Sequence, residues 1–368
     1  MAAEYKVIIR NASGVAIGEL SDYEILRVIK QVNAAGAIEF VVPAGHPKLS
    51  LLSHRCQVDV QRKNASVGLD WYTVHTGLYL KEGGVQRQQE YVTVTCPGIM
   101  WLLGTRHVAY YAGTANRSMY TSLAAETIGK RIVQYNCTSS GTTGDGRLRN
   151  AAFADFTITI QADGGGGNVI ASRGVAFENV LKAIGELAEV AGGDFDLVRT
   201  GATTYQFRWY AGQRGTDRSS GANTLLFAWE RGNLAEIRYG LNRIDEKTVA
   251  LVGGKGEQDD RNVVIRTGAD YSATNDIETF VYASNKPDSE LASAGDAALR
   301  RARASAAVEF AVLQRSNCYY GLHYEVGDRA LFRWRGLNSA LKIVGAAMAH
   351  DRRSGGASEK VSIEVEDV

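Results

Sequence analysis

The turn Gly253-Gly254-Lys255-Gly256 is the first stretch whose residue types could do chemistry, because backbone amides in a glycine turn can cradle a phosphate. The phosphate-loop pattern needs four residues between a glycine and Gly-Lys-Ser/Thr, whereas Lys255 is followed by Gly256. With no helix expected to start there, it reads as a turn between strands. Asp194 and Asp196 flank Phe195 and share one side of an extended segment. Paired carboxylates can hydrolyse glycosides, but beside Gly192-Gly193 this pair reads as a solvated strand start. The six histidines, at positions 46, 54, 75, 107, 323 and 350, show no metal-ligand spacing and read as ordinary surface or half-buried residues. Ala65-Ser66-Val67-Gly68 has Asn64 where a nucleophile elbow needs its first glycine. Cys56, Cys96, Cys137 and Cys318 stand apart from one another and read as structural thiols. Tyr205, Phe207 and Trp209 alternate with Gln206 and Arg208, so their shared face is either a stacking platform or the inside of a sheet. No catalytic, cofactor-binding or metal-ligating residue is assigned, and no cofactor is expected.

The elements that would position any such residues are mostly strands. Tyr5 to Arg10 is an apolar run closed by Asn11-Ala12-Ser13-Gly14, and Cys56–Gln61 and Glu90–Thr95 alternate at period two. Such alternation predicts one face on a core and one face wet. Forty glycines against four prolines predict many tight turns. Two helical stripes follow: Tyr120, Leu123, Ala124, Thr127, Ile128 and Ile132, then Phe177, Val180, Leu181, Ile184, Leu187 and Ala188, stopped by Gly192-Gly193. Asn136 to Asn150 and Gly164 to Gly167 read as exposed loops. Strands resume at Thr203–Trp209, interrupted by a predicted helix over 289–315 with Asp288 as its N-cap.

At 368 residues with a net charge of +1, the chain should hold two or three domains and lacks the basic excess of a dedicated nucleic-acid binder. No eighteen-residue apolar run is present to span a membrane as a helix. The N-terminus has no basic-then-apolar signal pattern, so folding in the cytoplasm is expected. One pattern recurs. Tyr72 to Gly84 leading into the Glu90 strand is matched by Leu341 to Asp351, then Gly355-Gly356 and Glu359 to Val365, each preceded by a strand ending in basic residues (Arg62-Lys63, Arg333). If the unit occurs twice, three chains would present six similar units around an axis, a way to dock a threefold ring on a sixfold tube.

The C-terminal third has a distinctive order of parts. Gly232-Asn233-Leu234 precedes a strand reaching Asn242 to Val252 and the glycine turn at 253–256. A charged segment follows, and then Tyr320-Gly321 and Val326-Gly327-Asp328-Arg329-Ala330. Upstream stand Gly36-Ala37-Ile38-Glu39-Phe40-Val41-Val42-Pro43, Tyr210 and Gly215-Thr216-Asp217-Arg218. This order resembles the siphophage tail hub (tail-tip or baseplate hub) family, over most of the chain. The resemblance implies a baseplate-hub-like, β-rich α+β fold, with two tube-like β-barrel or sandwich domains flanking a mixed α/β middle segment. The expected division is 1–96 for the first tube-like domain, 97–195 for the middle and 196–368 for the second, with the 289–315 helix inserted.

It implies a non-enzymatic homotrimeric ring at the distal end of the virion tail, capping the tube and gating genome passage. Its partners would be the distal tail protein, the tail tube protein, the tape measure protein C-terminus and a central fibre or spike. DNA would pass without specific binding, through a bore expected to lack a dense basic lining, since phosphate contacts would slow transit. The alternatives are a tail-associated cell-wall hydrolase, for which a chain ending at Val368 is expected to leave no room for a lytic module, and a carbohydrate-binding protein using the face near Trp209.

Overall fold

Short alternating runs and tight turns produce strands throughout, and a computed structural model describes residues 3–86, 90–109, 117–143, 147, 149–284, 286–303, 305–334, 337–353 and 358–366. The first stretch forms β1 (Glu4–Arg10), β2 (Ala16–Leu20), β3 (Ile25–Gln31), β4 (Ala37–Pro43), β5 (Gln57–Asn64), β6 (Leu69–Leu78), β7 (Lys81–Gln86) and β8 (Glu90–Pro97). The middle holds α1 (Trp101–Gly104), β9 (Ser118–Ala124), α2 (Ala125–Cys137), β10 (Thr157–Ile160), β11 (Val169–Val175), α3 (Val180–Ala191), β12 (Gly193–Arg199) and β13 (Thr204–Ala211). Next come β14 (Asp217–Arg218), β15 (Leu226–Ala228), β16 (Leu234–Asn242), β17 (Val249–Gly253), β18 (Val263–Thr267), β19 (Glu278–Tyr282) and α4 (Leu291–Arg301). The last strands are β20 (Ser305–Val312), β21 (Arg329–Trp334), β22 (Leu337–Asp351) and β23 (Ser358–Glu366).

One large sheet runs in the order β16-β20-β23-β22-β3-β4-β8-β7, with β21 pairing β22 off this path and carrying β14 and β15. It joins strands from both ends of the chain, because β22 pairs antiparallel with β3. The sheet β2-β1-β5-β6 belongs to the same packed body: Val7, Val58 and Val60 share one core with Val28, Phe40, Phe310, Phe332, Ile343 and Ile363, all fully buried. Among the described residues no sheet closes into a barrel. The middle segment has its own core, with α2 and α3 packed on the sheet β10-β13-β12. The sheet β18-β17-β19 and α4 bury a smaller cluster around Val252, Leu291 and Leu299.

Several expected elements differ from what forms. The stripe from Tyr120 to Ala124 lies in β9, paired with β11, and the helix starts only at Ala125. The helix α3 matches its stripe from Val180 onward, with the Asn179 side chain accepting from the Lys182 amide and Gly192 closing the end in the left-handed region at φ 69°. Phe177 lies outside it and is exposed. The helix expected over 289–315 stops at Arg301, and no side chain, Asp288 included, caps its start. Its second half is β20, held between β16 and β23, where Phe310 is fully buried and stacks 4.9 Å from Phe332. Pairing on both sides and burial of Phe310 outweigh the helix propensity of the alanines there. The 56–61 strand has no wet face either, since Gln57 and Asp59 are both buried.

Candidate assembly surface

The long sheet reads as one four-strand order used twice, β3-β4-β8-β7 and then β16-β20-β23-β22. Equivalent rows can be followed strand by strand. In the first unit Arg27 lies opposite Glu39, Glu39 opposite Thr95, and Thr95 opposite Lys81. In the second, Arg238 lies opposite Glu309, Glu309 opposite Glu364, and Glu364 opposite Gly345. Both rows carry a cross-strand arginine–glutamate contact, at 2.9 Å for Arg27–Glu39 and 4.0 Å for Arg238–Glu309. Phe40 and Phe310, one residue beyond each glutamate, are both fully buried.

The preceding strands agree as well. β6 pairs β5 and then gives way to β7, which pairs β8. β22 does both jobs in one strand, pairing β21 up to Lys342 and β23 from Lys342 onward, with a register shift between Ile343 and Gly345. That shift stands where Tyr79-Leu80 separates β6 from β7. The hairpin similarity expected from the sequence therefore extends to two whole units; Gly355-Gly356 lies outside the described residues.

One face of this sheet covers the main core, and the other carries Arg27, Lys81, Arg238 and Lys360 together with Glu39, Glu236, Glu309, Glu364, Glu366 and Asp351. Glu236 accepts from Arg238 at 2.9 Å and from Lys360 at 3.1 Å, so much of this charge is paired. Among the described residues, β7 pairs only with β8 and β16 only with β20, which leaves each end of the sheet with an open edge.

The sequence motifs that follow one another along the chain meet in space. Asp328 accepts from the Thr216 amide at 2.7 Å, the Arg218 side chain at 2.9 Å and the Glu325 amide at 3.1 Å. Gly215 packs so closely here that a Cβ would stand 2.3 Å from the Asp328 nitrogen. A cavity of about 300 Å³ beside this clasp is lined by Arg214, Arg218, Glu325 and Asp328, and the Asp328 oxygens are already occupied by these bonds. The Asn233 side chain accepts from the Ala228 amide and donates to the Leu226 carbonyl, fixing the entry to β16.

Buried ionic groups tie the segments together. The Arg62 side chain, fully buried, meets Glu359 at 2.8 Å and the Tyr320 carbonyl at 2.6 Å, linking β5 to the C-terminal strands. Asp59 accepts from Arg10 at 2.6 Å, Arg199 at 2.8 Å and Thr76 at 2.7 Å. Burial alone would raise its pKa, but the bonds from Arg199, Arg10 and Thr76 win and hold it below the ordinary value.

None of the weighed chemical features forms a reaction centre. Asp194 is buried, not solvated: it accepts from Lys342 at 2.6 Å and from the Arg214 amide at 2.7 Å, while Asp196 pairs with Arg214. A carboxylate so engaged holds β12 against β22. Tyr205, Phe207 and Trp209 are all buried in the middle core, so that face cannot stack a sugar. Gly253 ends β17, Gly256 sits at φ 95°, and only a three-residue 3-10 turn, Gln258–Asp260, follows, too short to complete a phosphate site. His46 caps a turn and bonds Asp22, and His350 bonds the Tyr23 hydroxyl. His75 lies against Gly36 and Gly98, and burial, helped by Lys30, lowers its pKa to about 3. All four cysteines are buried and free, and no group of histidine, cysteine and carboxylate ligands gathers among the described residues. Sequence reasoning gave no sign of the two open edges, because nothing in a single strand states whether a neighbour will cover it.

Residues 6–345 match the family described as Siphovirus ReqiPepy6 Gp37-like protein. No curated protein matches. Among solved structures, the 43 kDa tail protein of prophage MuSo2 from Shewanella oneidensis superposes with TM-score 0.60 at 10% identity, over 99% of this chain and 97% of that one. A tail protein from Neisseria meningitidis gives 0.57 at 12% identity, over 99% and 97%. Prophage tail protein gp18 from Listeria monocytogenes gives 0.53 at 13%, over 98% and 94%.

Proposed function

Because the chain belongs to the siphovirus Gp37-like family and has a phage tail-protein fold, we propose that this structural tail protein is the hub that ends the tail tube, working as a homotrimeric ring. The observation that carries this reading is the doubled four-strand unit within one sheet. Three copies present six similar units, which can face a sixfold tube with near-equivalent contacts. In this arrangement 1–96 and 196–368 supply the tube-like portions and 97–195 decorates them. The distal tail protein and tail tube protein would lie above, a fibre or spike below, and the tape measure protein's C-terminus and then DNA would occupy the bore.

The mixed face of the long sheet suits a bore wall. Its four described lysines and arginines are outnumbered by Glu39, Glu236, Glu309, Glu364, Glu366 and Asp351, so it would exert little net pull on passing phosphates. Mass photometry of the purified protein and averaged electron micrographs of native tails test the ring. A trimeric mass with a threefold annular projection is expected. A single copy both in solution and at the tail end would overturn the reading.

A further inference from the structure

We propose that β7 of one copy pairs antiparallel with β16 of the next, in the register that β22 and β3 already use inside each chain. This rests on the ring reading and names the contact that closes it.

The strand path gives the first argument. Its eight strands are antiparallel at every step, so β16 and β7, at the two ends, run in opposite directions. A second copy added head to tail therefore continues the alternation without a break. Repeating such a heterologous contact closes a ring when the rotation allows, and closure removes both open edges.

The second argument is that the chain contains this junction once already. β22 is the outer strand of one unit, as β7 is of the other, and β3 and β16 hold the opposite positions. Inside the chain the two units meet through β22 and β3. The seam between copies would join the other two strands of the same pair of types.

The register follows from the equivalent rows. Gly345 of β22 and Lys81 of β7 end matching rows, which begin at Arg238 and Arg27. Gly345 faces Gln31, four residues beyond Arg27. Lys81 then faces the residue four beyond Arg238, which is Asn242 of the next copy. Continuing antiparallel, Glu82 faces Leu241, Gly83 faces Gly240 and Gly84 faces Tyr239. The edge is suited to an approaching backbone: Gly83 and Gly84 are exposed, and a Cβ built on Gly83 would meet nothing within 4 Å.

The test is a disulfide across the seam, using Glu82→Cys with Leu241→Cys in the full-length protein. Directly opposed residues have Cα atoms about 4.5–5.5 Å apart, within the range of about 4.4–6.8 Å that a disulfide spans. Within one chain these positions lie on the two outermost strands, so a bond between them must join copies. The four native cysteines are buried and free. Glu82→Cys with Ile237→Cys is the shifted control, four residues or about 13 Å along the strand. Gly84→Cys with Tyr239→Cys repeats the test if the first pair fails to fold.

Non-reducing electrophoresis after mild oxidation should show a ladder ending at a covalent trimer, at least tenfold stronger than in the control and abolished by reductant. Trimers that stay uncross-linked at both in-register pairs, or that cross-link equally at the shifted pair, overturn the seam and leave the ring standing. Single copies in solution and in native tails overturn the ring itself, and the seam with it.

Discussion

Replacing Asp59 by asparagine removes one charge while keeping the side chain's shape, and so isolates what this carboxylate does between β5 and the middle segment. It is buried, with Arg10 at 2.6 Å, Arg199 at 2.8 Å and Thr76 at 2.7 Å. Asparagine still offers one oxygen to Thr76, but leaves two guanidinium groups without a counter-charge. Breaking a buried pair from one side costs about 3–5 kcal/mol. The arginine side chains are about a quarter exposed, at 24% and 26%, so solvent screens part of that penalty and about 2–4 kcal/mol is expected. Unfolding entropy of about 2.1 cal/mol/K per residue gives roughly 0.8 kcal/mol/K for a chain of 368 residues. The Tm should therefore fall by about 3–5 °C in differential scanning fluorimetry. The pH dependence gives a second readout. With its folded pKa below the ordinary 3.8, Asp59 contributes stability that is present above 3.8 and is lost as pH falls through the lowered value. The wild type should lose this stability below about pH 4, and the variant should lose less there because it has less to lose. A Tm within 1 °C of wild type at neutral pH, with the same acid limb, would refute the reasoning.

Two other substitutions probe the scaffold that presents the open edges. His75→Gln should flatten the stability profile between pH 6.5 and 3: the wild-type ring, with its folded pKa lowered to about 3, binds fewer protons than the unfolded chain in that window. Denaturation midpoints across the window check this, and identical slopes in the two proteins would rule it out. Phe310→Ala should cost about 3–5 kcal/mol, because a fully buried ring stacked on Phe332 leaves a cavity in the core shared by both halves. Urea titration measures the loss; a value under 1 kcal/mol would show that the core collapses to fill the gap.

What the sequence disclosed and what it withheld divide along the range of the forces involved. The end of α3 was legible because Asn179 and Gly192 act within one turn of the residues they cap. Clusters of glycine and polar residues announced turns for the same reason. Gly215 to Arg218 and Val326 to Ala330 were recognisable as motifs, yet only the fold shows that Asp328 joins them. The strand at Ser305–Val312 was hidden because alanines favour a helix locally, while β16 and β23, distant in the chain, supply the pairing that decides the matter. Asp194 and the Tyr205, Phe207 and Trp209 face belong with it: alternation gives which side chains share a face, and only packing says whether that face meets water. The doubled unit was half visible for a geometric reason. In the first unit β3 and β4 are separated by a short turn, but in the second the β17–β19 sheet and α4 intervene between β16 and β20. The hairpin keeps its spacing and so is legible in the chain, whereas the arginine–glutamate row is spread over strands far apart in sequence and is not. A strand edge is likewise silent in sequence, since its unmet hydrogen bonds belong to the backbone and carry no residue signature. That is why the seam has to be argued from the register of a junction the chain has already made within itself.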